Sequence, residues 1–350
     1  MGMKEVDYII VGCGLAGISF CEELRANEKT FIVFDDESQQ SSVVAAGLYN
    51  PVILKRFSPV WKAKEQLEIA LPFYEHLENL LGVKLDHKLP VYRRFASVEE
   101  QNEWFNASDK PLLEDYLSPQ IIKNEIDTVN APFGFGRVLE TGRVDTSALL
   151  KHYKLFLKTI NSYSTETFDY SDLKLQHDFV IYENIKSKFI VFAEGFGMVK
   201  NPFFKELPLN VAKGEVLTIK ASDLKMAFIL KSSVFVVPEL DDCYSVGATY
   251  NWEDTTHDIT EAAKMELLDK LKGLITCKYE VVDQVAGIRP TVKDRRPLVG
   301  RHPKYRNVAI LNGLGTRGVM IGPYVAKQLF QLLENDLPLE EEIDIKRFQD

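Results

Sequence analysis

Two periodicities organise the apolar positions of the chain. Residues 7–11 (Asp-Tyr-Ile-Ile-Val), 30–34 (Thr-Phe-Ile-Val-Phe) and 307–311 (Asn-Val-Ala-Ile-Leu) are short apolar runs, each led by a polar residue and closed by Gly12, Asp35 or Asn312. Such runs predict strands buried on both faces of a parallel sheet. After the first run Leu15, Ile18, Cys21, Glu22 and Leu24 recur at helical spacing, and after the third a helix is predicted from Val319 onward. Elsewhere the period changes. Residues 88–105 predict a strand and then a helix, residues 232–250 a hairpin turning at Glu239 to Asp242, residues 259–274 a helix, and residues 279–287 a further strand. The blocks 86–134 and 216–284 are expected to pair into one antiparallel sheet forming a substrate-binding domain. The remainder, 1–85, 135–215 and 285–350, then forms a nucleotide-binding domain, and the two domains interleave along the chain.

Gly12, Gly14 and Gly17 stand at GxGxxG spacing between the first strand and its helix. Gly12 permits the tight turn, Gly14 lets a pyrophosphate approach the backbone, and Gly17 lets helix and strand lie close. The helix amino terminus supplies free N–H groups and a positive dipole end to phosphate. The second strand ends at Asp35 and Asp36, where a carboxylate accepts a hydrogen bond from an adenosine ribose and repels a 2′-phosphate. The motif predicts a dinucleotide; NAD and FAD both satisfy it.

Residues 38–51 (Ser-Gln-Gln-Ser-Ser-Val-Val-Ala-Ala-Gly-Leu-Tyr-Asn-Pro) carry no strong helix or strand pattern and suit a backbone running close to a flat ligand. With this segment the chain resembles the D-amino-acid oxidase superfamily of FAD-dependent amine oxidoreductases, which includes glycine oxidase and sarcosine oxidase. Residues 142–158 resemble its strand-to-helix element, with Asp145 or Thr146 as N-cap and Leu149, Leu150, Tyr153 and Leu157 on one face. Residues 188–197 resemble its strand and Ala-x-Gly turn. Residues 287–303 and 307–333 resemble its carboxyl-terminal signature, a glycine-rich turn feeding a helix against the flavin. The resemblance spans residues 5–335 and implies an α/β fold: a Rossmann-like FAD-binding domain with a parallel sheet, interleaved with a smaller α+β substrate domain on an antiparallel sheet. It also implies non-covalent FAD, since residues 291–293 lack the cysteine that tethers flavin in some relatives. The cofactor contacts it implies begin with Gly12, Gly14, Leu15, Ala16, Gly17, Asp35 and Asp36. They continue through Ser41, Ser42, Ala45, Ala46, Gly47, Leu48, Tyr170, Ala193, Glu194 and Gly195. They end with Gly313, Gly315, Thr316, Arg317, Gly318, Val319 and Met320.

On the substrate side the resemblance places Arg289, in Gly-Ile-Arg-Pro, against the carboxylate of an amino acid or amine, a contact that suits a planar guanidinium. Tyr49 and Phe235 complete the expected catalytic pocket. The expected chemistry is oxidation of the C–N bond by hydride transfer to flavin N5, giving an imine that water hydrolyses. Two positions depart from the family pattern. Phe235 replaces a tyrosine, removing a hydroxyl, and Ser245 stands where the sarcosine oxidase branch has a lysine that helps flavin react with oxygen, which leaves oxidase and dehydrogenase both open.

Composition narrows the classes further. A chain of 350 residues, 45% hydrophobic, can bury a sizeable core. The net charge of −9 argues against a long phosphate backbone as main partner, and the pairs Arg93/Arg94 and Arg295/Arg296 read as solvated faces. Cys13, Cys21, Cys243 and Cys277 lack CxxC spacing and read as buried small residues or idle thiols, and the histidines show no HxxxH or HExxH spacing, so no metal is expected. No apolar stretch reaches a membrane span, and the early first strand leaves no room for a signal peptide, so a cytoplasmic protein is expected. Nothing fixes the oligomeric state. One alternative is an RNA-modifying flavoprotein: residues 45–57 and 213–217 also resemble the oxidase half of a bifunctional enzyme that finishes a wobble-uridine side chain in tRNA, and Lys55, Arg56, Lys62 and Lys64 form a local basic stretch. Another is a non-catalytic FAD-binding redox sensor.

Overall fold

In the computed structural model, which describes residues 2–348, the three apolar runs become strands of one mainly parallel sheet. Phe31–Phe34, Lys4–Val11, Ile185–Phe192 and Val308–Asn312 lie side by side and parallel, with Ile10 between Val33 and Val191. Tyr163–Ser164 extends this sheet parallel to Phe31–Phe34, and Val180–Tyr182 joins it antiparallel. The described residues hold seven α-helices: α1 (Leu15–Ala26), α2 (Ser41–Val44), α3 (Ala63–Leu81), α4 (Val98–Ser108), α5 (Thr146–Thr159), α6 (Glu261–Lys272) and α7 (Gly318–Asn335). Apolar residues of α1, α3, α5 and α7 form one core with Tyr8, Ile10, Val33, Phe189 and Val191 on one face of the sheet. Ile9, Val11, Ile190 and Phe192 point to the other face, against Phe168, Tyr182 and Phe204. This two-sided burial is why the strands read as unbroken apolar runs.

Local chemistry sets the helix starts. Asp145 caps α5 by accepting the Ala148 N–H at 2.9 Å, and the expected stripe Leu149, Leu150, Tyr153 and Leu157 is buried. Ser97 and Thr260 cap α4 and α6 in the same way. Glu22, on the apolar side of α1, is buried with Arg25 at 2.8 Å, the Tyr153 hydroxyl at 2.6 Å and His76 at 3.1 Å. A carboxylate there is tolerated because each oxygen finds a donor.

The second sheet has eight strands in the order Glu280–Val292, Leu209–Lys220, Cys243–Gly247, Phe235–Pro238, Ile229–Lys231, Val91–Arg94, Phe135–Val138, Leu117–Ile122. It departs from the expected purely antiparallel sheet at one step, where Ile229–Lys231 runs parallel to Val91–Arg94. Parallel pairing becomes possible because these strands come from blocks far apart in sequence. The expected boundaries also shift. Phe135–Val138, allotted to the nucleotide-binding domain, pairs here with Val91–Arg94, and Gly136 within it and Gly134 just before it hid the alternation. Leu209–Lys220 and Glu280–Val292 pair from Leu209/Val292 to Lys220/Glu280, so borders at 216 and 285 cut through one continuous ladder. Leu217, Ile219, Leu230, Val236 and Val246 face outward onto Leu267 and Leu271 of α6, while Ile229 and Val237 join the core shared with the parallel sheet.

Two smaller expectations are corrected, and the cysteines are placed. Residues 38–51 contain α2 and the strand Leu48–Tyr49, which pairs with Gly142–Val144; these form through tertiary contacts that leave no periodic trace. Arg93 and Arg94 are half-buried, Arg93 paired with Glu100 at 2.6 Å and Arg94 donating to the Asn130 carbonyl, so neither is a free solvated charge. Cys13 and Cys21 are buried, but Cys243 and Cys277 are only half-buried. Among the described residues no helix is long and apolar enough to cross a membrane.

Candidate active site

The glycine turn after Lys4–Val11 is shaped by backbone crowding. Gly12 has φ +101°, and a Cβ there would come within 2.5 Å of the Ala193 carbonyl oxygen; a Cβ on Gly17 would fall on the Gly12 carbonyl. Gly14 differs: the nearest atom to its Cβ position is Ser42 Oγ at 3.1 Å. α1 starts at Gly14 with no side-chain cap, and the Leu15 N–H donates to Ser42 Oγ at 3.2 Å. Helix-start amides beside a glycine that meets only the Ser42 side chain, and no backbone, form a cradle that fits a diphosphate.

Distant segments close around this cradle. Ala193 N–H donates to Val11 O at 2.7 Å, and Asn312 Nδ2 donates to the Gly195 carbonyl at 2.9 Å. Gly313 and Gly315 have φ +70° and +60°, and Gly315 N–H donates to Pro290 O at 3.1 Å, which lays the carboxyl-terminal turn on the Gly-Ile-Arg-Pro segment. Gly318 and Gly322 let α7 approach α1, their Cβ positions lying 3.0 Å from Leu15 Cδ1 and 2.9 Å from Ser19 Oγ. The amino ends of both helices therefore sit together, with Val319 and Met320 buried behind them and Thr316 exposed. Ser41 Oγ donates to the Ile288 carbonyl, and Val44 packs on Gly287. Ala45, Ala46 and Gly47 are held by Thr146 Oγ1, Arg143 Nε and Val144 N–H, with Leu48 paired to Arg143.

At the far end of the cradle the carboxylates are already engaged. Asp35 pairs with Lys154 at 2.7 Å and accepts from the Tyr163 hydroxyl at 3.0 Å. Burial alone would raise the Asp36 carboxyl, but hydrogen bonds from Ser38 and Thr167 hold it below the usual range. Glu194 is buried and bonded by the Tyr170 hydroxyl and Asn201 Nδ2, and burial pushes its carboxyl up to about 7. Lys154, Tyr163 and Asn201 escaped the sequence reading because only tertiary contact brings them here.

Arg289 lies on the face of the second sheet opposite α6, and its guanidinium folds across Gly214, where any Cβ would collide with it. It donates to Thr249 O at 3.2 Å and stacks 4.5 Å from the Tyr250 ring centroid, with no carboxylate partner among the described residues. Burial lowers its pKa, which leaves a desolvated cation awaiting an anion. Lys213 holds the segment carrying Tyr250: its backbone exchanges hydrogen bonds with Asn251, and its ammonium meets Asp254 at 2.5 Å. Phe235 packs over Gly247, on the Arg289 face. Ser245 donates to Glu239 at 2.8 Å. Tyr49, expected in the pocket, is buried, and its hydroxyl donates to Asp86 at 2.8 Å and accepts from Lys88 at 3.0 Å. It stands on the small sheet of Leu48–Tyr49, Gly142–Val144 and Asp86–His87. Lys231, missed in the sequence, and Arg317, expected there only as a cofactor contact, share the Arg289 region. Lys231 and Arg317 have no carboxylate partner among the described residues, and burial lowers both, each further depressed by neighbouring positive charge. Gly214, a glycine inside a long strand, was the one legible signal of close approach there.

The chain is similar over its length to a glycine oxidase of Bacillus subtilis (strain 168), 21% identical over 354 residues and covering 95% of this chain and 94% of the relative. A tRNA 5-methylaminomethyl-2-thiouridine biosynthesis bifunctional protein of Aromatoleum aromaticum is 29% identical over 178 residues, covering 44% of this chain and 28% of that protein. Among solved structures, glycine oxidase from Geobacillus kaustophilus superposes with a TM-score of 0.79 at 18% identity, covering 99% of this chain and 98% of the other. Residues 7–332 match the family model described as FAD dependent oxidoreductase. With that match running from the glycine turn to the last helix, the chain belongs to the FAD dependent oxidoreductase family.

Proposed function

We propose that the protein oxidises the C–N bond of an amino acid or secondary amine. The observation that carries this reading is Arg289, a desolvated guanidinium seated on Gly214 with no carboxylate partner among the described residues. Such a group takes a substrate carboxylate in two parallel hydrogen bonds and so fixes the position of the adjacent carbon. Non-covalent FAD, held by the glycine cradle, supplies the hydride acceptor at N5. The residues of the chain orient the substrate and exclude water: Arg289 anchors it, Tyr250 backs the guanidinium, and Phe235 gives an apolar wall. An amine bound in its neutral form needs no proton acceptor from the protein. The glycine oxidase similarity along the whole chain supports the same substrate class.

The test is flavin bleaching by a panel of amino acids and N-alkyl amino acids under nitrogen. Arg289→Ala is expected to keep its yellow colour and lose about 10- to 150-fold in kcat/KM, the worth of a hydrogen-bonded ion pair. Unchanged kinetics in that variant, or an inert panel, would refute the reading.

A further inference from the structure

The pocket holds more positive charge than one carboxylate can answer. Lys231 lies in one row with Phe235, Gly247 and Val216, on the face that carries Arg289. Its ammonium rests 4.9 Å from the Phe235 ring centroid and has neither a hydrogen-bond acceptor nor a carboxylate among the described residues. Neighbouring cations are treated differently: Arg93 on the adjoining strand has Glu100 at 2.6 Å, and Arg143 has Glu239 at 2.5 Å, so the local carboxylates are already taken. Around Lys231 stand Arg317, Arg93 and Arg289, and with burial they pull its pKa down to about 8. A half-buried ammonium among like charges is costly unless something anionic joins it.

Arg289 folds over Gly214, two residues from Val216 in the same strand, so the two unpartnered cations flank a floor made by Gly247 and Phe235. Arg317, at the start of α7, stands at the cofactor end. A substrate with one carboxylate satisfies Arg289 and leaves Lys231 facing cations. Resting on the amine-oxidising reading above, we propose that the substrate is an amino or imino dicarboxylate whose first carboxylate binds Arg289 and whose second binds Lys231.

The test separates binding from turnover. Diglycolate and methoxyacetate, a dicarboxylate and a monocarboxylate without an amine, are titrated into the FAD-loaded protein and followed by the shift in flavin absorption. Diglycolate is expected to bind at least about 10-fold more tightly. Lys231→Met should bring the two within about twofold, and Lys231→Arg should restore the preference. Equal affinities in the native protein, or a preference unchanged in Lys231→Met, overturn the proposal. Should Lys231→Met shed its flavin, the native comparison and Lys231→Gln decide. A diglycolate preference without bleaching by any amine would leave the two-anion site standing and remove the amine reading; bleaching without that preference would do the reverse.

Discussion

A single missing side chain governs the placement of Arg289. The guanidinium occupies the space above Gly214, so a methyl group there must displace it. Gly214→Ala is therefore expected to raise KM by about 10-fold through overpacking while FAD content stays the same, as steady-state kinetics and the flavin spectrum would show. Glu194 offers a prediction of another kind. Burial holds its carboxyl at about 7 in the folded protein against 4.5 as the ordinary value. Between those values the folded state keeps a proton that the unfolded chain has released. Stability contributed by the neutral carboxyl is thus complete below pH 4.5 and is lost as pH rises to about 7, a change of roughly 3 kcal/mol. Glu194→Gln should flatten the fall in Tm of the FAD-loaded protein between pH 5 and 7; a slope equal to the native one would contradict the assignment.

At the scale of elements, the three glycines of the first turn do different work. Gly17 lets α1 lie on the Gly12 carbonyl, whereas Gly14 meets only the Ser42 side chain. Gly17→Ala should therefore lower Tm in proportion to a backbone clash of about 1–3 kcal/mol. Gly14→Ala should leave the fold in place and weaken FAD binding, read as a raised Kd by flavin fluorescence. The same two effects from both variants would mean that the cradle lies elsewhere. Residues 38–51 explain how an element escapes a sequence pattern. α2 exists because Val44 meets Gly287 and Ser41 meets the Ile288 carbonyl, partners about 245 positions away. The partner of the Tyr49 hydroxyl escaped for the same want of information, since only the pairing of Leu48–Tyr49 with Gly142–Val144, which also pairs with Asp86–His87, brings it to Asp86.

For the molecule as a whole, the cofactor cradle unites residues from the amino-terminal turn to the last helix. FAD should accordingly stabilise the entire fold. At a free concentration 100 times Kd it contributes about 2.7 kcal/mol, which for a chain of 350 residues raises Tm by about 4 °C. Heat-denatured protein passed through a membrane filter should release its yellow colour into the filtrate, because no covalent tether is expected; retained colour would contradict that. The parallel sheet and its helices were legible from sequence because two-sided burial and helical burial each impress a period on the chain. The glycine turns were legible because only glycine tolerates the contacts at Gly12 and Gly17. What only the tertiary structure decided was which charges meet. Asp35 found Lys154, Arg93 found Glu100, and Arg289, Lys231 and Arg317 were left together without an acid among the described residues. Local sequence carries periodicity and backbone tolerance, but charge pairing depends on distances through space between strands far apart in the chain.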